Sequence, residues 1–391
     1  MNNRPALATK GYPNMITEVY ITRTASYLPF DPISNDEMEG VLGMAGGKPS
    51  RARRIILRSN GIESRHYAID RDTGRSAMSN AQLTAHAIRG LGEVGRVDCL
   101  SVGTSIPDQL MPNHGVMVHG ELGWPRMEAV AFAGICVAGA AALKHAWLSV
   151  KCGEAQRAVA AASELVSSCL RGACYEPETE HQITALQAHP QIAFEKDFLR
   201  WMLSDGAGAM LLESAPRGPM SLRIEWIELS SAAHELPACM VMGAEKLADG
   251  SLQSWLHLSH AEWGARSIFA IKQDVKLLNE HIVRATLRDP LEAIAAKRGL
   301  RVEDIDWFLP HISSMYFAEP VAAAMRDIGL DVPREKWFTN LVTKGNTGSA
   351  SPYIMLDELV RSGRMERGHR VLMFVPESGR FSCGFVMLEA V

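Results

Sequence analysis

Residues 131–150, AFAGICVAGAAALKHAWLSV, decide how the rest of the chain is read. They begin inside a short apolar run, MEAVAFAGI at 127–135, whose length and composition predict a buried strand. After it the sequence is rich in Ala and Leu as far as Gly153, which predicts a helix. Cys136 stands at the junction. A buried strand that turns straight into a buried helix is the βα step of an α/β fold. The N-terminus of such a helix has unpaired backbone N–H groups and a partial positive charge. A thiol placed there is expected to ionise readily and to serve as a nucleophile. A lone buried cysteine is more often a small hydrophobe, so the neighbouring motifs must decide.

The same alternation extends in both directions. EVYITRTASYL (18–28), CLSVGTSI (99–106), RAVAAAS (157–163) and GAMLLE (208–213) read as strands. In the second part LRIEWIELSS (222–231), DWFLPHIS, KWFTNLV, HRVLMFV and CGFVMLEA are strand candidates. Helical periodicity runs through 269–299, with Pro290 as the expected break or second-helix start, and through MYFAEPVAAAMRDIG and SPYIMLDELVRSG. Residues 150–164 echo residues 363–378: helix end, Gly/Glu/Arg turn, apolar strand. A duplicated α/β architecture follows, with halves at 16–215 and 216–391 and a disordered leader at 1–15. Residues 170–203 and 232–266 interrupt the rhythm and are taken as insertions near a substrate entrance.

Composition narrows the function classes. The 391 residues are 47% hydrophobic and 21% charged, with a net charge of −4, so neither nucleic acid nor a membrane is called for as a partner. No apolar stretch is long enough to span a bilayer. The seven cysteines include no CxxC pair, which argues against a disulfide scaffold and a thiolate metal site and fits a reducing cytoplasm. No phosphate or dinucleotide loop is present, and no cofactor is implied. GVLGMAGGKPS (40–50) reads as a flexible loop. Arg51, Arg53 and Arg54 beside it form a basic run, either a solvated face or a dock for an acidic carrier protein or coenzyme A phosphates.

Two further motifs join Cys136. FLPHISS (308–314) places His311 at the end of an apolar strand, and KGNTGSASPYIMLDEL (344–359) places Asn346 in a turn that leads into a helix. The carboxyl ends of strands are where α/β folds build their sites. In this order the three motifs resemble the Cys, His and Asn motifs of thiolase-fold condensing enzymes, β-ketoacyl-acyl-carrier-protein synthase III above all. SDGAGAMLLE (204–213) and RSNGIESRHYA (58–68) resemble two more segments of that family. Residues 28–70 are similar to the ketosynthase-cyclases that make dialkylresorcinols and cyclohexanediones.

The resemblance implies a thiolase fold of two βαβαβ halves in α/β/α/β/α layers and a cytoplasmic homodimer. It also implies acyltransferase chemistry on thioesters of an acyl carrier protein or coenzyme A. Cys136 would carry the acyl group, and His311 and Asn346 would donate hydrogen bonds to the carbonyl of the second thioester. The backbone N–H groups of Cys136 and Gly379 would hold the acyl oxyanion, although Glu377-Ser378-Gly379 replaces the family's glycine-rich run. If two β-ketoacyl thioesters are joined and cyclised, a base is needed, with His311 and then Glu164 as candidates. The alternatives are a decarboxylative synthase using malonyl thioester and an inactive ketosynthase-like partner. A papain-like protease lacks its motif here. A thiolase would need a second active-site cysteine, for which Cys383 is the faint candidate, and a plant-type polyketide synthase shares the triad.

Overall fold

The computed structural model describes residues 17–175, 179–188 and 199–391. Nine strands form its main sheet: β1 Tyr20–Tyr27, β2 Cys99–Thr104, β3 Glu128–Ala133, β4 Arg157–Glu164, β5 Gly206–Glu213, β6 Leu222–Ser231, β7 Trp307–Pro310, β8 Arg370–Glu377 and β9 Ser382–Ala390. Their order is β7-β8-β9-β6-β1-β5-β4-β2-β3. The seam at the centre is slight, because β1 and β6 pair only through Tyr20 with Arg223 and Ile21 with Leu222. Outward from that seam the pattern repeats. On one side β5 and β4 are antiparallel to their inner neighbours, and β2 then runs parallel to β4. On the other side β9 and β8 are antiparallel to theirs, and β7 runs parallel to β8.

Side-chain alternation explains the layers. Along β4, Ala158, Ala160 and Ala162 enter one core, while Val159 and Ala161 enter another. Along β8, Val371 and Met373 share the first of those cores, and Leu372 and Phe374 enter a third. Both strands are therefore buried on two faces, and both read as unbroken apolar runs. The shared core holds the two central helices, α3 Val137–Lys151 and α7 Ser351–Arg361. Helices α1 Asn80–Arg89 and α2 His114–Leu122 cover the outer face of the first half. The outer face of the second half carries α4 Val275–Val283, α5 Asp289–Arg298 and α6 Ala318–Asp327. Each fully buried Leu or Met of these cores contributes about 2 kcal/mol of transfer free energy.

Helix α3 meets the 3₁₀ turn just before α7, Gly348–Ala350, at main-chain distance. A Cβ at Gly139 would lie 2.3 Å from the Ser349 carbonyl oxygen, and the Tyr353 hydroxyl donates to the Gly139 carbonyl at 2.8 Å. Thr24 and Ser26 of β1 donate to the two carboxylate oxygens of Asp357 and tie α7 to the first half.

Two expectations need correction, KWFTNLV and residues 40–50. KWFTNLV forms no strand: Arg334–Lys336 is a 3₁₀ turn, and only an isolated bridge joins Trp337 to Phe308. That bridge lies where β3 lies in the first half, so the second half's outer strand is vestigial. Pro290 marks the start of a second helical segment, one of the two outcomes expected of it. It falls in the first turn of α5, where no N–H is needed, directly after a π-helical turn at Arg284–Arg288. Residues 40–50 are not a plain loop, since Met38–Leu42 is helical and Ala45–Gly47 forms a 3₁₀ turn. The expected leader at 1–15 and much of the first insertion lie outside the described residues.

Candidate active site

Strand β3 ends at Ala133 and α3 begins at Val137, with Cys136 as its N-cap residue. His311 follows β7 directly, and its backbone N–H donates to the Phe374 carbonyl of β8 at 2.8 Å. Asn346 lies in the turn before α7. Its backbone N–H donates to Met202 and its carbonyl accepts from Ser204, which pins the turn on both sides. Cys136, His311, Asn346 and Glu164 all open on one cavity of about 440 Å³. Residues from both halves of the chain therefore converge on one space.

The polar groups are oriented by what they already bond. Asn346 Oδ1 accepts the Gly348 N–H at 2.9 Å, which leaves its amide nitrogen as the donor toward the cavity. Burial pushes His311 down to about 4, so the ring is neutral at physiological pH and can donate. Glu164 is anchored firmly. Its Oε1 accepts from the backbone N–H groups of Ser105 and Ser349 at 3.1 and 3.0 Å and from their hydroxyls at 2.7 and 2.6 Å. Burial nevertheless raises its carboxyl to about 7.

The thiol corrects the sequence expectation. Burial pushes Cys136 well above the ordinary thiol range, and the charges of Glu377 and Glu164 push it further. The helix N-terminus does not offset this, because a carboxylate already occupies it. Glu377, at the end of β8, accepts the N–H groups of Ile135 at 3.0 Å and Val137 at 3.1 Å through Oε2. At rest Cys136 is therefore a neutral thiol.

The rest of the lining is mostly apolar. Leu199, Met202, Leu278, Ile282, Phe317 and Val321 form the wall from the body of the fold. Met240–Val241, Ala244 and Leu252, from the second insertion, form a roof. The roof is tied to the reaction centre through Gly379, whose carbonyl accepts from Cys239 and Met240. Gly379 itself packs on Ile135, 2.8 Å separating a Cβ there from Ile135 Cδ1. Cys383 is buried, is pushed up to about 12, and does not line the cavity. Arg51 pairs with Glu180 at 2.6 Å and Arg53 with Glu39 at 3.0 Å, whereas Arg54 is exposed without an ion pair among the described residues. Among those residues no cluster of potential metal ligands occurs, and no helix is long and apolar enough to cross a membrane.

Known proteins similar to this chain are condensing enzymes. Residues 295–389 match the family model for the C-terminal part of 3-oxoacyl-[acyl-carrier-protein] synthase III. A β-ketoacyl-[acyl-carrier-protein] synthase III of Xanthomonas oryzae pv. oryzae is 26% identical over 372 residues, 94% of this chain and 97% of the relative. One from Hyphomonas neptunium is 24% identical over 90% of this chain and 93% of its own. The chain is a synthase III-like condensing enzyme.

Solved structures share the fold of this condensing enzyme. AbyA1, a tetronic acid condensing enzyme, superposes with a TM-score of 0.70 at 20% identity over 95% of this chain and 99% of its own. The synthase III of Pseudomonas aeruginosa PAO1 gives 0.68 at 21% identity, covering 95% and 98%. Xanthomonas campestris OleA, with bound lauric acid and lauroyl-CoA, gives 0.69 at 20% identity, covering 96% and 100%. Sequence reasoning singled out Cys136, His311, Asn346 and Glu164, which the fold brings to one cavity. For Glu377 it noted only a departure from the family's glycine run. The insertion's part in the roof had no sequence signal beyond a break in rhythm.

Proposed function

We propose that this enzyme forms a carbon–carbon bond between an acyl group held on Cys136 and a second acyl thioester, by Claisen condensation. Residues 16–215 supply the nucleophile and residues 216–391 supply the groups that hold the second substrate. The observation that carries the proposal is the single, mostly apolar cavity onto which Cys136, His311 and Asn346 all open.

The steps follow from the chemistry of these groups. Cys136 Sγ attacks an acyl thioester, a new C–S bond forms, and the carrier thiol leaves with the proton. Backbone N–H groups of Cys136 and Gly379 stabilise the oxyanion. A second thioester then places its carbonyl oxygen against His311 and the Asn346 amide. Two neutral donors stabilise the enolate there, each worth about 3 kcal/mol in comparable sites. The α-carbon gives up its proton to a base, attacks the acyl carbonyl and forms the C–C bond while the C–S bond breaks, and the departing Cys136 thiolate takes that proton back.

The second substrate is read as a β-ketoacyl thioester, and the joined product as one that closes to a cyclohexanedione or resorcinol precursor. Glu377 and Glu164 both act electrostatically on Cys136. A malonyl carboxylate brought beside those two carboxyl groups would meet like charge wherever they are ionised, whereas a β-keto group is neutral. The second reading, decarboxylative condensation with malonyl thioester, needs no base and keeps the same triad.

The thioesters would arrive on an acyl carrier protein or coenzyme A. Exposed Arg54, with Arg51 and Arg53 beside it, is the proposed contact for their acidic groups. The free edge strand β3 is the proposed face of a homodimer. The test is product mass spectrometry with malonyl and β-ketoacyl thioesters offered in parallel, together with the intact mass of the acylated protein. Absence of an acyl adduct on Cys136 with every thioester would reject the proposal. A product from malonyl thioester alone would select the second reading.

A further inference from the structure

Condensation of a β-ketoacyl thioester needs a group that removes its α-proton, and that group must open on the cavity where the thioester lies. Burial holds His311 neutral with weak basicity, since its ring titrates at about 4. Glu377 does not line the cavity, and its Oε2 already accepts the N–H groups of Ile135 and Val137. Glu164 does line the cavity, together with Cys136, His311 and Asn346.

The two oxygens of Glu164 are not alike. Oε1 takes four donors, the backbone N–H and the hydroxyl of both Ser105 and Ser349, and so is saturated. Oε2 has one contact among the described residues, the Ser105 N–H at 3.3 Å. Ser349 is buried and does not line the cavity, whereas Ser105 does. The saturated oxygen is thus the anchor on the side of the fold, and the lightly bonded one is left for the cavity. The same turn sets both partners of the reaction. The Gly348 N–H orients the Asn346 amide at 2.9 Å, and the next N–H in the chain, that of Ser349, holds Glu164 at 3.0 Å. Burial lifts the carboxyl to about 7, where an ionised form still abundant at neutral pH has gained basicity.

We propose that Glu164 is the catalytic base that takes the α-proton from the second thioester, with Oε2 as the accepting atom and with Ser105 and Ser349 as the residues that position it. This rests on the reading that the second substrate is a β-ketoacyl thioester. The C–H electron pair moves into the enolate held by His311 and Asn346. The enolate carbon attacks the Cys136 thioester, the C–C bond forms and the C–S bond breaks. The departing thiolate takes the proton from Glu164. Thiol and carboxylate are both restored, and no further reactant is required. The Cys136 thiol, raised well above its ordinary range, binds that proton more tightly than a carboxyl that titrates at about 7, so the transfer runs in the direction the cycle needs.

The experiment compares wild-type enzyme with Glu164→Gln and Glu164→Asp, measuring first the acylation of Cys136 and then condensation of the acylated protein with β-ketoacyl thioester. Glutamine keeps an oxygen for the donors of Ser105 and Ser349 but cannot take a proton. The expected result is acylation of Cys136 in all three proteins and a loss of at least about 100-fold in condensation for Glu164→Gln. Glu164→Asp, which keeps a carboxylate but draws it back, should recover part of that loss. Condensation by Glu164→Gln at the wild-type rate would overturn the proposal. Equal loss of acylation and condensation in both variants would also overturn it, since a purely structural carboxyl would then suffice. Wild-type enzyme that condenses malonyl but not β-ketoacyl thioester would instead remove the reading on which the proposal rests.

Discussion

Gly348→Ala tests how the site is assembled. Gly348 has φ +51°, in the left-handed region, where an added Cβ costs about 1 kcal/mol. The new methyl would also lie 2.8 Å from Glu164 Cγ and 3.0 Å from its Cδ. Glu164 is buried and held by donors on Ser105 and Ser349, so it cannot retreat without breaking at least one of those bonds. A hydrogen bond to a charged group contributes about 1.5–3 kcal/mol. Strain and bond loss together predict a drop of about 3 kcal/mol in unfolding free energy, measured by urea denaturation. The Gly348 N–H also orients Asn346 by bonding its Oδ1, so the same shift misdirects the amide donor. Single-turnover condensation should fall about 100-fold, while acylation of Cys136 changes only a few-fold. A variant within about 0.5 kcal/mol of wild type that condenses at full rate would refute both the packing and the coupling argued here.

Other outcomes follow from the same geometry. Because burial and two carboxylates raise the Cys136 thiol, its alkylation by iodoacetamide should be slower than that of an unfolded-chain cysteine at pH 7 and still climbing at pH 9. A plateau below pH 8, followed by peptide mass spectrometry, would contradict this. Asn346→Ala and His311→Ala should each lower condensation by about 100- to 1000-fold and leave acyl-Cys136 formation intact. Equal loss of both half-reactions would point to a collapsed site. Glu164 binds its proton more tightly in the fold than the ordinary 4.5, titrating at about 7. Its contribution to stability is therefore complete below pH 4.5 and is lost as pH rises through 7. Denaturation of Glu164→Gln across that range should show a flatter profile than wild type, and parallel profiles would exclude the assignment.

Much of the fold was legible because its strands are buried on two faces. Runs such as RAVAAAS and HRVLMFV have no polar alternation, and their short length between turns marks them as interior strands. KWFTNLV carries the same composition yet forms only a bridge at Trp337, because the preceding residues tighten into a 3₁₀ turn. Its failure is one of local geometry, which residue type does not report. The roof was illegible for a different reason. Met240–Val241 and Lys272–Gln273 pair as strands of two residues, too short for any periodicity to show. The positions of Cys136, His311 and Asn346 were visible from motif order. Their electrostatics were not, because Glu377 reaches the start of α3 from 240 residues away in sequence. A helix N-terminus argued for an easily ionised thiol, and a distant carboxylate reversed the sign.

The contact between Gly139 and the Ser349 carbonyl has an evolutionary consequence. The distance between sulfur and amide donor is fixed where two main chains touch, beyond the reach of ordinary side-chain drift. The roof over the cavity, by contrast, belongs to a loop insertion held mainly by loop contacts such as those to the Gly379 carbonyl and between Ala232 and Phe381. Substrate range can therefore diversify by rewriting that insertion while the reacting atoms stay in register, which suits a scaffold that serves many different acyl donors.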